Sequence, residues 1–345
     1  MKNNTNLFLI ALILIGAIVR FWNLGFQHMT MDEEFTIRFA GLGITAGQLF
    51  IQSLSTDFTP PLYYIAAHLS MIVFGATAES IRYPSVIAGI LLIPVMYFIG
   101  REYKNELFGL LLAGFTTISY SFIYYAKYGR SYSIALLFFS LAFYYFMRLL
   151  KGDKHSSIPF GIFALLSLWT HLYTAIPLGV MILYLLWEQK VYYYGILITI
   201  IGSLPLLNYL TLIGTTRDLS QGNFGETPLS VLLWTPLDIF AYSAFILFPI
   251  IVWSCWKYRA DKLVRAISII GLATWISMIV LAVKTPIVPH YALWLVPTLL
   301  LPLMVPLYFH VKNKSVGFSH LVIIMVVVIL EVVQLAALVT IQRIG

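Results

Sequence analysis

Charge is scarce in this sequence. Asp, Glu, Lys and Arg make up 10% of the 345 residues, against 60% hydrophobic, and mean hydropathy is +0.90. A soluble globular domain carries about 25% charged residues, so that class is excluded. Cysteine is almost absent: Cys255 stands alone, which rules out an internal disulfide framework. No Gly/Ser-rich linker or low-complexity tract marks off a separate soluble domain, so residues 1–345 are expected to form one integrated bundle. Acids are fewer than bases, 14 against 21. In a soluble chain the resulting +7 would suggest nucleic acid; in so apolar a chain it suggests cytoplasmic loops facing anionic lipid, and no nucleic-acid partner is expected.

What is abundant is long apolar runs. They fall at 7–22, 83–100, 107–124, 131–149, 158–174, 176–188, 191–208, 233–254, 263–282, 291–309 and 318–341. The expected fold class is an all-α polytopic membrane protein with about 11 transmembrane helices. The pair 158–174 and 176–188 is short, with its split expected near Pro177. The first run follows Lys2 and lacks a small-x-small cleavage site, so it reads as a retained anchor with Trp22 as a belt residue.

The run 62–75, "LYYIAAHLSMIVFG", is too short for a comfortable span, and charge decides its place. If it lies on the outer surface, twelve downstream cations face the cytoplasm: Arg101, Lys104, Arg148, Lys151, Lys154, Lys190, Lys257, Arg259, Lys262, Arg265, Lys312 and Lys314. Six face outside: Arg82, Lys127, Arg130, Arg217, Lys284 and Arg343. A spanning 62–75 would swap the two counts, against the positive-inside rule. The stretch 23–82 is therefore read as one long outer loop with two or three interfacial helices, the N-terminus as cytoplasmic, and the membrane as the plasma membrane. Asp32, Glu33, Glu34, Asp57, Glu79, Asp218, Glu226 and Asp238 then gather on the outer side with the six cations, His171 and His290. Polar chemistry from distant loops collects at one face, as an interfacial enzyme site requires.

The densest acidic stretch is "MTMDEEFTIRFA", residues 29–40. Thr30 followed by Glu33 fits a capping box, and acids in a first turn complement the helix dipole. Capping explains one or two of the acids, not why they sit beside the bilayer, where desolvation must be compensated by a partner or substrate. Next come "TDFTPPLYYIAAHL" (56–69), "SIRYPS" (80–85), "YYAKYGRSY" (124–132), "LWTHLY" (168–173) and "PHYALW" (289–294).

An Asp-Glu pair after the first apolar run, then Pro-Pro-Leu-Tyr-Tyr, Arg-x-Pro-Ser and a Tyr-Tyr…Arg-x-Tyr loop, resembles the GT-C membrane glycosyltransferases. Within them it looks like the branch of protein O-mannosyltransferases and lipid A aminoarabinose transferases. The resemblance is clear over 25–152 and weaker at 165–175 and 289–303. It implies a GT-C module at about 7–210 followed by C-terminal helices over 233–341. It also implies a polyprenyl-phosphate-sugar donor and a hydroxyl acceptor (glycan, lipid or protein) at the outer face. Asp32 matches the catalytic acid, with Glu33 as its neighbour. The phosphate site implied by the resemblance draws on Arg130, His171 and His290 with the adjoining Tyr291. Lys127, Lys284 and Arg217 are further cations on that side, and Arg82 either contacts the donor or pairs with an acid of the outer loop. Thr59 stands where family members often carry Lys or His before the two prolines.

Related oligosaccharyltransferases hold a divalent metal with a second acidic motif in the loop corresponding to 124–132. This loop has no acid, so no cofactor is expected. A cation shared by Asp32, Glu33 and Asp57 stays open as an alternative, since clustered carboxylates suit hard ions. The aromatics of 120–132 read as packing and belt residues, and Glu331 as a hydrogen-bonded or protonated acid in the last run. A transporter or flippase of polyprenyl-linked lipids is the competing function. Against it stand the lack of an internal repeat and a polar cluster that is one-sided rather than at the midplane.

Overall fold

The structure, a computed structural model, describes residues 2–25, 28–56, 59–188, 193–209, 228–240, 244–282 and 293–312. Among them are fifteen α-helices and no strand. Helix α1 (Lys2–Phe21) is followed by α2 (Met31–Phe39), α3 (Ala46–Thr56) and α4 (Pro61–Phe74), then by α5 (Ala78–Tyr103). The stretch 23–82, expected to hold two or three interfacial helices, holds three short ones among its described residues before α5 begins. There follow α6 (Glu106–Ile118), α7 (Tyr120–Ala126), α8 (Tyr132–Leu150), α9 (Ser157–Leu168), α10 (Ala175–Trp187) and α11 (Tyr193–Ser203). The last are α12 (Pro228–Phe240), α13 (Ala244–Lys257), α14 (Lys262–Leu281) and α15 (Val296–Lys312).

Helices α5, α8 and α14 are long and apolar enough to cross a membrane alone, and α6 with α7 qualifies as one span bent by 60°. The expected runs 83–100, 131–149 and 263–282 are therefore continuous helices. The run 107–124 is not: Ser119 adopts extended backbone (ψ 130) and breaks it into α6 and α7. The run 233–254 is likewise divided between α12 and α13. Seven further apolar helices have 10–17 residues, short of the roughly 20 that a simple span needs. The split expected near Pro177 falls earlier, between Trp169 and Thr174. Pro177 lies in the first turn of α10, where its missing N–H costs nothing. The run 318–341, with Glu331, lies outside the described residues.

Two compact units divide the chain: 1–16, 93–123 and 226–345 form one, 17–92 and 124–225 the other. In the first, Ile93, Tyr97 and Ala113 form a buried cluster with Leu9, Leu12, Ile13 and Leu110 packed on it. Pro306 inside α15 cannot donate to the Pro302 carbonyl one turn back. The buried Ser254 hydroxyl of α13 donates to that carbonyl instead, at 2.6 Å. In an apolar setting an unpaired carbonyl would cost several kcal/mol, so this bond explains a serine in an otherwise apolar helix.

The second unit repeats the device. Pro84 of α5 leaves the Ser80 carbonyl without its helical donor, and the Ser70 hydroxyl of α4 supplies one. Tyr63 of α4 donates to the Ile81 carbonyl at 3.1 Å. These two bonds tie α4 to the start of α5. Helices α9 and α11 approach through glycines: a Cβ on Gly161 would lie 2.4 Å from the Gly195 carbonyl oxygen. Small residues at such a crossing let backbones meet where no solvent drives packing.

Candidate active site

Helix α2 opens with the capping box expected from its sequence. The Glu33 amide donates to the Thr30 hydroxyl at 3.3 Å, and the Thr30 amide donates back to Glu33 Oε2 at 3.1 Å. Three acids in the first turn then face three different surroundings. Glu34 pairs with Arg38 one turn on, at 2.9 Å, with both side chains exposed. Glu33 is fully buried, while the Asp32 side chain is 55% exposed.

Glu33 and Arg82, both expected at the site, meet each other. Arg82 Nε donates to Glu33 Oε1 at 2.7 Å and its terminal nitrogen donates to Oε2 at 2.9 Å. This is a bidentate pair with neither side chain exposed. Arg82 also donates to the Leu24 carbonyl at 2.6 Å, and the Gly129 amide donates to Glu33 Oε1 at 2.8 Å. One buried carboxylate thus gathers the start of α2, the first turns of α5 and the 127–131 loop. Gly129 is required for the approach, because a Cβ there would lie 2.9 Å from Glu33 Oε1 and 2.8 Å from the Ile81 side chain. With both its oxygens engaged, Glu33 is turned inward, away from the exposed face where Asp32 lies.

Asp32 Oδ2 accepts a hydrogen bond from the Tyr128 hydroxyl at 3.2 Å and lies 4.0 Å from Arg130 Nε. The Arg130 side chain is 15% exposed and also reaches the Thr36 hydroxyl, at 3.5 Å. Its position is set from the backbone: the Ser85 hydroxyl of α5 donates to the Arg130 carbonyl at 2.8 Å. Burial, helped by the Asp32 carboxylate, pushes the Tyr128 phenol above its ordinary value, so it is a neutral donor at physiological pH. A half-exposed carboxylate beside a partly exposed arginine, both held from behind, can accept a proton and stabilise an anion in the same small region.

The other expected residues fall differently. Lys127 is buried and turns its ammonium to the Trp22 carbonyl, at 2.6 Å. Burial, with Arg20 and Arg82 nearby, lowers its pKa to about 8. His171 sits in the break before the Leu172–Thr174 turn, its ring against Tyr132 at 5.7 Å and Tyr173 at 5.9 Å. Arg217, Lys284, His290 and Tyr291 lie outside the described residues, as do Asp57, Asp218 and Glu226. Among the described residues no three His, Cys, Asp or Glu side chains converge as a metal site. The proposed sharing of a cation by Asp32 and Glu33 does not fit this geometry, because Arg82 already neutralises Glu33.

Two residues that build this arrangement escaped the sequence. Tyr128 read as packing, yet its hydroxyl reaches Asp32; its ring also stacks between Tyr124 and Tyr132, at 6.1 and 6.0 Å. Gly129 carried no sequence signal beyond its place in "YGR". The spacing of Tyr124, Tyr128 and Tyr132 by four was the available hint.

Solved structures with the same fold include ArnT from Cupriavidus metallidurans bound to undecaprenyl phosphate (TM-score 0.60, 15% identity) and the same protein in the apo state (0.61, 16%). Each match covers 86% of this chain and 58% of that one. The Archaeoglobus fulgidus oligosaccharyltransferase in complex with Zn and sulfate matches over 95% of this chain and 53% of its own (TM-score 0.54, 15% identity). The chain therefore spans less than two thirds of these relatives, and at such identity the likeness is one of fold. No curated protein sequence matches it. This chain shares the fold of those structures, and its several long apolar helices make it an integral membrane protein. Residues 59–209 match the model of the dolichyl-phosphate-mannose-protein mannosyltransferase family. Arg82, Lys127, Arg130 and His171 fall inside the matched stretch; Asp32 and Glu33 precede it.

Proposed function

We propose that the chain is a glycosyltransferase that moves a sugar from a polyprenyl-phosphate carrier to a hydroxyl acceptor at the outer membrane face. The observation that carries this reading is the half-exposed Asp32 carboxylate 4.0 Å from Arg130 Nε. The match of 59–209 to the mannosyltransferase family model and the undecaprenyl phosphate named with one structural relative support the donor class. Asp32 takes the proton of the acceptor hydroxyl as its oxygen bonds to the anomeric carbon. The bond from that carbon to the phosphate oxygen breaks, and polyprenyl phosphate leaves with the electron pair. Arg130, which can grip a phosphate through two parallel hydrogen bonds, holds the charge that develops there. His171, and His290, Tyr291, Arg217 and Lys284 beyond the described residues, complete the phosphate surroundings. Glu33 and Arg82 position the site by pairing with each other. Apart from α4, which is read as interfacial, the short apolar helices are read as tilted spans; with the longer helices and the run 318–341 they make the proposed 11 crossings, with the N-terminus proposed to be cytoplasmic.

The test uses proteoliposomes of the purified protein, undecaprenyl-phosphate mannose as donor and cell-envelope extract as acceptor. General-base help is worth about 10²–10⁴ in rate. Asp32→Asn should therefore fold and bind donor normally while releasing undecaprenyl phosphate at least about a hundredfold more slowly. Near wild-type release by that variant would remove Asp32 from the chemistry. Movement of intact donor across the bilayer without release would replace the transferase by a flippase.

A further inference from the structure

The strongest unexplained feature of the site is what lies behind Asp32. Its side chain occupies the first turn of α2, half in solvent, and a carboxylate so placed rotates about two side-chain torsions. A proton acceptor that wanders loses most of the advantage of proximity, since reacting atoms must be held at about 3–3.5 Å in an aligned geometry. Something must restrict it. Arg130 at 4.0 Å is too long for a hydrogen bond. The Tyr128 hydroxyl at 3.2 Å donates the one hydrogen bond that Asp32 Oδ2 receives among the described contacts.

Tyr128 is itself held by its neighbours. Its ring stacks nearly parallel on Tyr132, at 6.0 Å and 9°, and on Tyr124, at 6.1 Å and 17°. The next residue, Gly129, is pinned by its amide to the buried Glu33. The Thr30 hydroxyl lies 3.2 Å from the Tyr128 oxygen. A phenol has one proton; when Thr30 donates to the oxygen, that proton is directed to Asp32. The chain Thr30 Oγ1 to Tyr128 Oη to Asp32 Oδ2 is polarised toward the carboxylate. It fixes one oxygen and leaves the other for the acceptor.

We infer that Tyr128 is a positioning residue for Asp32, locking the carboxylate rotamer from the 127–131 loop through its hydroxyl. This rests on the reading of Asp32 as the proton acceptor. Tyr128 touches no reacting atom in this scheme; it acts through Asp32 alone.

Tyr128→Phe deletes the hydroxyl and keeps the stacked ring. In the proteoliposome assay it should lower kcat about ten- to a hundredfold while KM for undecaprenyl-phosphate mannose stays within about twofold. The melting temperature should be unchanged. A second comparison uses Asp32→Glu, whose longer side chain displaces the carboxylate from the phenol. In that background Tyr128→Phe should change kcat by less than about twofold, because residues acting through one contact are not additive. Wild-type kcat in Tyr128→Phe would overturn the inference. So would equal losses in both backgrounds, a rise in KM alone, or a loss that follows a lowered melting temperature. If Asp32→Asn is fully active, the proton-acceptor reading itself fails. If Asp32→Asn is inactive and Tyr128→Phe is normal, only the positioning role falls.

Discussion

Arg130 and Lys127 are three residues apart and both cationic, yet their surroundings assign them different work. Arg130 keeps part of its side chain exposed beside Asp32, on the side a ligand would approach. Arg130→Ala should weaken donor binding or turnover at least about tenfold, or about 1.4 kcal/mol. Arg130→Lys should recover only part of the loss, because an ammonium lacks the planar fork. Titration of donor against purified variants measures both. Lys127 is sealed against the Trp22 carbonyl and titrates at about 8, against 10.5 ordinarily. Between those values the unfolded chain binds more protons than the fold, so this group makes stability rise with pH there. Below about pH 8 the cost of burying its charge is present in full. Lys127→Met should therefore gain stability relative to wild type at pH 7, and the difference should shrink by pH 9.5. Melting curves in detergent at the two pH values give the answer; a difference independent of pH would mean Lys127 does not titrate in the fold.

At the scale of elements, α2 is the piece that presents Asp32, and it has only nine residues. An isolated helix that short is unstable in water. Its place is set by the cap at Thr30 and by Glu33, which reaches Arg82 of α5 and Gly129 of the loop. Removing one partner of a buried pair leaves an uncompensated charge, at a cost of about 3–5 kcal/mol. Arg82→Met should thus lower the melting temperature sharply and abolish activity. The double change Arg82→Met with Glu33→Leu should recover part of the stability without the activity, since α2 is then packed but no longer tethered to the loop. Gly129→Ala tests the same junction from the other side. Its methyl would press on Glu33 and Ile81, so activity should fall while donor binding at Arg130 weakens with it. Assays of stability and transfer on these variants separate a tether from mere packing.

For the whole molecule the open quantity is orientation. Twelve of the cations downstream of 75 fall on one side of the proposed topology and six on the other, and this places α2, α3 and α4 outside. In a Cys255→Ser background, a cysteine at Gly43, in the open turn between α2 and α3, should react with an impermeant thiol reagent added to intact cells. Cysteines at Lys104 and Lys151 should react only after permeabilisation. Outside labelling at Lys151 would invert the scheme and move the site to the cytoplasmic face.

The all-helical class, the placement in a membrane and the family resemblance were legible in the sequence, because each depends on local or summed properties. Apolar runs, charge asymmetry between loops and the Thr30-to-Glu33 spacing of the capping box need no knowledge of distant contacts. The helices over 83–100, 131–149 and 263–282 follow from such runs alone, whereas the break at Ser119 does not: the short hydroxyl-rich patch from Thr116 to Ser121 sits inside an apolar run and nothing in it fixes a 60° bend. Nor could three adjacent acids be told apart. Asp32, Glu33 and Glu34 are near-equivalent as sequence, and each has its own fate because Arg82 arrives from 49 positions away and the Tyr128–Gly129 loop from 96. Ionic and hydrogen-bonded partners act over a few ångströms, whatever their separation along the chain. Residue type and spacing therefore determined which chemistry is present here, and only the tertiary structure decided which carboxylate is buried as a tether and which is left open to react.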